Sequence, residues 1–153
     1  MAQKIVPNLW FNGNAEEAVK FYTEVFPDAK ILSTEYYPKT QEDGLADFQQ
    51  DLAGNLLTAE FELMGVHFTA INAGPEFSFT EATSFAVYCK DQSEIDYYWS
   101  KLSTVPESEQ CGWCKDKYGL SWQIIPANME GLMKKPGAFA KLMDMKKIEI
   151  ASF

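Results

Sequence analysis

Apolar positions along this chain change period repeatedly, and the changes mark its elements. Ile5 to Phe11 is a short apolar run that reads as a strand. Gly13-Asn14 then turns the chain into a segment over 14–26. Its apolar set Ala15, Ala18, Val19, Tyr22, Val25 and Phe26 follows helical spacing. Pro27-Asp28 stops that helix. Lys30 to Tyr37 is rich in strand formers, whereas Pro38 to Leu52 is polar, carries Gly44, and reads as a mobile loop or irregular hairpin. From Leu56 to Met64 the period is two, with Leu57, Ala59, Phe61 and Leu63 on one face and Thr58, Glu60 and Glu62 on the other. Gly65 marks a turn, and Val66 to Ala73 pairs back as a hairpin.

The pattern then recurs. Shifted by 77 positions, Asn14 meets Asp91, Glu17 meets Glu94, Phe21 meets Tyr98 and Tyr22 meets Trp99. Each copy places an N-cap residue three positions before a Glu, the spacing of a reciprocal capping box. The second copy runs strand 84–89, helix 91–102, loop 103–109, strand 110–115, turn Asp116 to Gly119 and strand 120–126. Residues 74–81 read as a linker. The tail adds a helical turn at 127–133, a helix at 136–144 opened by Pro136, and a final strand from Lys147 to Phe153. The expectation is an α+β protein of three parts: a first module at 1–75, a second at 80–126 and an appendix at 127–153. Paired sheets would enclose a cleft, and an appendix with an unpaired strand favours a homodimer over a tail packed on its own chain.

Composition removes several function classes. The chain has 153 residues, enough for one domain or two half-sized modules sharing a core. Its net charge is −9, unevenly spread. Residues 1–130 hold 8 Lys against 20 Asp plus Glu, and residues 131–153 hold 5 against 2. There is no arginine, the usual bidentate reader of phosphates and guanine edges, so a nucleic-acid partner is not expected. No stretch approaches the roughly 20 apolar residues of a membrane span, and the N-terminus shows no signal-peptide pattern. A cytoplasmic protein is expected.

Candidate chemistry is sparse. Cys111-Gly112-Trp113-Cys114 has redox spacing, but a hairpin pattern follows it. On a strand, residues three apart face opposite ways at roughly 10 Å, too far for a disulfide. Buried inert thiols, Cys89 included, are expected. Three Cys and the single His67 do not make a closed zinc site. Glu60 and Glu62 share a strand face; Glu60 is the candidate to line a cleft and act as an acid or base. No G-x-G, Walker or G-x-S-x-G motif occurs. The surplus of aromatics suits a small, apolar or planar ligand.

Longer stretches resemble a known family. Pro7-Asn8-Leu9-Trp10-Phe11-Asn12-Gly13-Asn14-Ala15-Glu16-Glu17-Ala18, Phe21-Tyr22 and Phe26-Pro27-Asp28 are similar to the opening of PhnB-like proteins. Thr58 to Gly65, Asn72 to Phe77, Cys111-Gly112-Trp113 and Lys115 to Ile124 continue the resemblance, which extends nearly to Ile125. These proteins form a branch, often labelled 3-demethylubiquinone methyltransferase-like, of the vicinal-oxygen-chelate superfamily. Glyoxalase I, bleomycin-resistance proteins and extradiol dioxygenases belong to it too. The resemblance implies two βαβββ modules with curved sheets, commonly in a dimer, and enzymes whose His and Glu ligands hold a divalent metal.

Carried over by position, the first-strand ligand falls on Pro7, its repeat partner on Ser84, the last-strand ligand on Gln123, and the fourth-strand position of module one on Thr69 or a neighbour. Proline has no side-chain donor, and Ser and Gln are weak neutral ligands. Methyl transfer is equally unsupported, since no glycine-rich loop is present for S-adenosylmethionine. The resulting expectation is a small-molecule binder with no metal and no cofactor. Pro7, Leu9, Phe11, Glu60, Thr69, Ser84, Tyr88, Trp113 and Gln123 would line its cleft, with Gln123 orienting a polar ligand group. The alternatives are a metal-dependent lyase, isomerase or dioxygenase using His67, Glu60 and Gln123, and a non-catalytic dimer whose cleft is filled by its own aromatics.

Overall fold

The computed structural model describes residues 3–153. The chain divides into two compact units, Met1–Ser78 and Phe79–Phe153. The tail therefore belongs to the second unit.

The first unit holds β1 (Asn8–Asn12), α1 (Ala15–Val25), β2 (Lys30–Tyr36), a 3₁₀ segment (Asp47–Leu52), β3 (Leu56–Leu63) and β4 (Val66–Ala73). The sheet order is β1-β4-β3-β2, with β1 parallel to β4 and the other pairs antiparallel. Alternation sorts its side chains into two layers. Leu9, Phe11, Ala59, Phe61, Phe68 and Ala70 are buried on the side that carries α1. The helix answers with Ala15, Ala18, Val19, Tyr22 and Val25, all buried. Tyr22 stacks on Phe61 at 6.4 Å, and Phe61 on Phe68 at 5.4 Å. The opposite sheet face carries Asn8, Trp10, Asn12, Thr58, Glu60, Glu62, His67, Thr69 and Ile71 in cross-strand rows.

The start of α1 departs from the capping expectation. Asn14 makes no side-chain cap bond. The Ala15 N–H instead donates to Oδ1 of Asn72 on β4 at 3.0 Å, and Asn72 Nδ2 donates to the Leu56 carbonyl at 2.9 Å. One buried amide thus ties α1, β3 and β4 together. Of the two forms expected for the stretch after β2, it takes the irregular hairpin, joining the antiparallel pair β2 and β3. The Tyr37 N–H donates to the Asn55 carbonyl at 2.8 Å and the Gly54 N–H to the Pro38 carbonyl at 3.2 Å, clamping its two ends. Leu45 is buried inside it.

The second unit holds β5 (Ser84–Cys89), α2 (Gln92–Leu102), a 3₁₀ turn (Pro106–Ser108), β6 (Trp113–Lys115), β7 (Ser121–Pro126), α3 (Met129–Met133), α4 (Ala138–Met143) and a 3₁₀ turn (Ile150–Ser152). Its sheet order is β5-β7-β6, parallel then antiparallel, so no counterpart of β2 is present in it. α1 and α2 correspond at the shift of 77 that the sequence shows. Asp91 caps α2 by accepting from the Glu94 N–H at 3.0 Å. Glu94 reaches back to the Lys90 N–H at 3.3 Å, one residue before the position a capping box uses.

Between β6 and β7 the fully buried Asp116 organises the turn. Its Oδ1 accepts from the Tyr118 and Leu120 N–H groups at 2.8 and 3.1 Å, and its Oδ2 from Trp122 Nε1 at 2.9 Å. The tail forms no final strand. Met145 and Lys146 carbonyls accept from the Cys111 and Gly112 N–H groups at 2.7 and 2.8 Å. Gln92 brackets the next stretch, donating to the Ile148 carbonyl at 2.9 Å and accepting from the Ile150 N–H at 2.8 Å. Gly112, at φ 90°, sits so close to Ile148 that an added Cβ would lie 2.8 Å from its Cδ1. The tail thus packs on its own unit.

Candidate functional site

The first unit contains a cavity of about 560 Å³. Trp10 and Asn12 of β1 and Ile71 and Ala73 of β4 supply one wall. The 3₁₀ segment contributes Phe48, Gln49, Asp51 and Leu52, and the strap after β4 adds Gly74, Pro75 and Glu76. Tyr37 and Asn55 complete it with Gly13. The indole of Trp10 is held in place: Nε1–H donates to the Gly74 carbonyl at 2.9 Å, and Phe77 meets its ring edge-on at 4.8 Å. The Tyr37 hydroxyl donates to the Asn72 carbonyl at 2.5 Å. Burial, and then the Glu76 carboxylate, push its phenol above the ordinary value. An added Cβ on Gly74 would lie 2.7 Å from a Glu76 carboxylate oxygen, so a bare glycine lets that side chain fold over the strap.

Sequence reasoning missed most of this cavity. It took the odd-numbered residues of the first strand as inward-facing. In the structure Leu9 and Phe11 lie on the helix side, buried in the core, and are corrected as lining residues. Asn8, Trp10 and Asn12 occupy the open face instead. Pro7 precedes β1, and its carbonyl accepts from the Thr69 N–H at 2.9 Å. The strap Gly74-Pro75-Glu76 read as a linker. The signal that could have found Trp10 was its place between two aliphatic or aromatic core residues in a strand.

Glu60 and Thr69 are brought together as cross-strand partners in one row with Asn8. Glu60 is exposed, and its Oε2 accepts from the Ser33 hydroxyl at 3.0 Å. Neither residue lines the cavity. His67 lies at the next row, its Nε2 3.4 Å from Glu62, which also meets Lys30 Nζ at 3.4 Å; His67 Nδ1 is buried without a hydrogen-bond partner.

Ser84, Tyr88, Trp113 and Gln123 share the face of the second sheet away from α2. Gln123 Nε2 donates to Ser84 Oγ at 2.9 Å, and Trp113 is the register partner of Gln123. Ser121, opposite Ser84, is buried with its Oγ unpartnered. Tyr88 is largely exposed.

The superfamily's divalent metal does not fit these side chains. Pro7 brings no donor, and Ser84 and Gln123 hydrogen-bond to each other. Neutral hydroxyl and amide oxygens are poor substitutes for imidazole and carboxylate. Among the described residues no three His, Cys, Asp or Glu side chains gather closely enough to hold an ion. Burial is the main force pushing the Cys114 and Cys89 thiols up to about 12 and raising Cys111 as well, which disfavours the thiolate that redox chemistry uses.

Two mixed sheets, each carrying helices on one side and side chains of mixed polarity on the other, define an α+β chain of the vicinal-oxygen-chelate type. A model of the family described as 3-demethylubiquinone-9 3-methyltransferase matches residues 3–125. The chain is similar to a solved structure described as a putative 3-demethylubiquinone-9 3-methyltransferase, PhnB protein, from Bacillus cereus. That match is 36% identical, covers 82% of this chain and 100% of the other, and has a TM-score of 0.65. Protein PA1353 from Pseudomonas aeruginosa (16% identity, 82% and 98% coverage, TM-score 0.57) shares the fold, as does the Arabidopsis thaliana AT5G48480 product (17%, 82% and 99%, 0.51). No curated protein matches the sequence. The chain belongs to the 3-demethylubiquinone-9 3-methyltransferase-like (PhnB) family.

Proposed function

We propose that this PhnB-family chain is a small-molecule-binding protein that acts without the superfamily's metal ion. The observation that carries the reading is the cavity of about 560 Å³ in the first unit, a size suited to a small organic molecule. Its indole is oriented in advance by a hydrogen bond and an edge-on ring, which lowers the ordering cost of binding. The neutral, mutually bonded Ser84 and Gln123 support the metal-free part of the reading.

A thermal-shift screen of small organic molecules on metal-analysed protein tests it. A binder is expected to raise the melting temperature by mass action, and metal analysis of the purified protein is expected to find no stoichiometric transition metal. A tightly held metal at unit stoichiometry, or a library without a single stabilising compound, overturns it. We further propose a homodimer in a reducing, cytoplasmic setting; the free thiols Cys89, Cys111 and Cys114 suit such a compartment.

A further inference from the structure

We propose that the cavity of the first unit takes a planar organic cation, an N-alkylated heteroaromatic ring being the simplest form. This rests on the cavity being the binding site and adds the chemical class of the ligand. Three aromatic side chains meet there: Trp10, Tyr37 and Phe48. Trp10 is pinned through its N–H and by a T-shaped contact with Phe77. Phe48 is 84% exposed, a large apolar ring left in water at the rim of a cavity it lines. A flat ligand gives it a surface to cover.

The sign of charge follows from the rest of the lining. Asp51 and Glu76 are its two ionisable acids, and no Lys, Arg or His stands among the residues that line it. Both are exposed at its rim, so a neutral ring would use the aromatic wall and leave their negative field unused. An anion would meet like charge at both. A cation satisfies the carboxylates and gains the attraction of the indole face. The choice of an organic cation over a bare metal ion follows from the volume and from the lack of a third acidic or imidazole donor.

Isothermal titration of the full chain with N-methylquinolinium, quinoline and 2-naphthoate at pH 8 and low salt tests this. These are flat two-ring probes that differ chiefly in charge. N-methylquinolinium is expected to bind at least about tenfold tighter than quinoline, with 2-naphthoate weakest. Added salt is expected to weaken the cation and leave quinoline unchanged. The double substitution Asp51→Asn, Glu76→Gln is expected to bring cation and neutral ring within about twofold of each other, while Trp10→Ala weakens both. Circular dichroism melts of each variant separate lost binding from lost fold, and the salt series on the unaltered chain tests the charge argument without any variant. Equal affinity for quinoline and N-methylquinolinium overturns the cation assignment while leaving the binding role standing. A preference that survives removal of both carboxylates overturns it too, as does absence of binding by all three probes. The library screen on metal-analysed protein decides the binding role by itself.

Discussion

Asn72 carries the burden that the capping rule assigns to Asn14. Asn14 has the right residue type and the right spacing to Glu17, so a sequence reader names it as the cap. The α1 amide instead finds its acceptor 57 residues away on β4. A local rule has no access to an acceptor supplied by the fold. The expected consequence is an inverted ranking in urea unfolding. Asn72→Ala strands the Ala15 N–H and the Leu56 carbonyl in a buried place and costs about 2–4 kcal/mol, whereas Asn14→Ala costs no more than about 0.5 kcal/mol. The expected burial of the thiols holds for Cys89 and Cys114, but strand spacing is not its cause: Cys111 lies in the turn before β6 at φ 40° and is only half-buried, not on a strand with Cys114. Cys89 and Cys114 are buried, with thiols pushed up to about 12 from an ordinary 9.0. Mass spectrometry after iodoacetamide at pH 8 is expected to find both unlabelled in the folded chain and all three cysteines labelled in urea. An acid raised in the folded state stabilises fully below its unfolded value. These two thiols therefore hold their contribution below pH 9.0 and lose it as pH climbs toward 12.

At the scale of elements, both long helices, most strands and the two faces of β3 were legible, while the face of the first strand and the form of the tail were not. The helices align at 77 positions, from Ala15 to Gln92. The strands before them do not. Leu9 and Phe11 face their helix in the first unit, and Val87 and Cys89 are the buried residues of β5 in the second. Matching Leu9 with Val87 and Phe11 with Cys89 takes a shift of 78, so Ser84 falls on Val6, which has no side-chain donor either, rather than on Pro7. A slip of one residue in a strand inverts every side chain, which is how two core residues came to be assigned to a ligand site. The tail misled for a related reason: Lys147 to Phe153 has strand-like alternation, yet its backbone bonds go to Gln92 and into its own 3₁₀ turn, while Met145 and Lys146 just before it bond the Cys111-Gly112 turn. Its anchor predicts a pH response. Lys147 Nζ lies 2.7 Å from Asp96 Oδ1, and hydrogen bonds from Lys147 and then Gln92 hold the Asp96 carboxyl below its ordinary 3.8. A depressed carboxylate contributes above its unfolded value and loses that contribution as pH falls through the folded one. Hydrogen exchange at the Ile150 amide is expected to keep its protection above pH 3.8 and to lose it in more acidic solution, and Asp96→Asn is expected to raise its exchange already at neutral pH.

On the scale of the whole molecule, the internal duplication is what the sequence showed most clearly, and the asymmetry between the copies is what it hid. Only the first unit has a strand between helix and hairpin, and that strand, β2, is the outer strand of its sheet. All seven of its residues are exposed, Ile31, Leu32 and Tyr36 among them. An edge with apolar side chains on both faces is a template for pairing unless charge or curvature blunts it. Here Lys30 and Glu35 flank the apolar pair without interrupting it. The proposed homodimer therefore finds its support in β2, since the tail that first suggested it is already engaged within its own unit. Sedimentation velocity is expected to give twice the 17.3 kDa chain mass, and the double substitution Ile31→Lys, Leu32→Lys to give the monomer mass with the melting transition of the monomeric fold retained. Charges placed on an edge that already faces water cost little in a monomer, whereas the same charges buried against a second copy break the association. A wild-type chain that sediments at 17.3 kDa across micromolar concentrations would leave β2 as an exposed edge held soluble by the net charge of −9 alone.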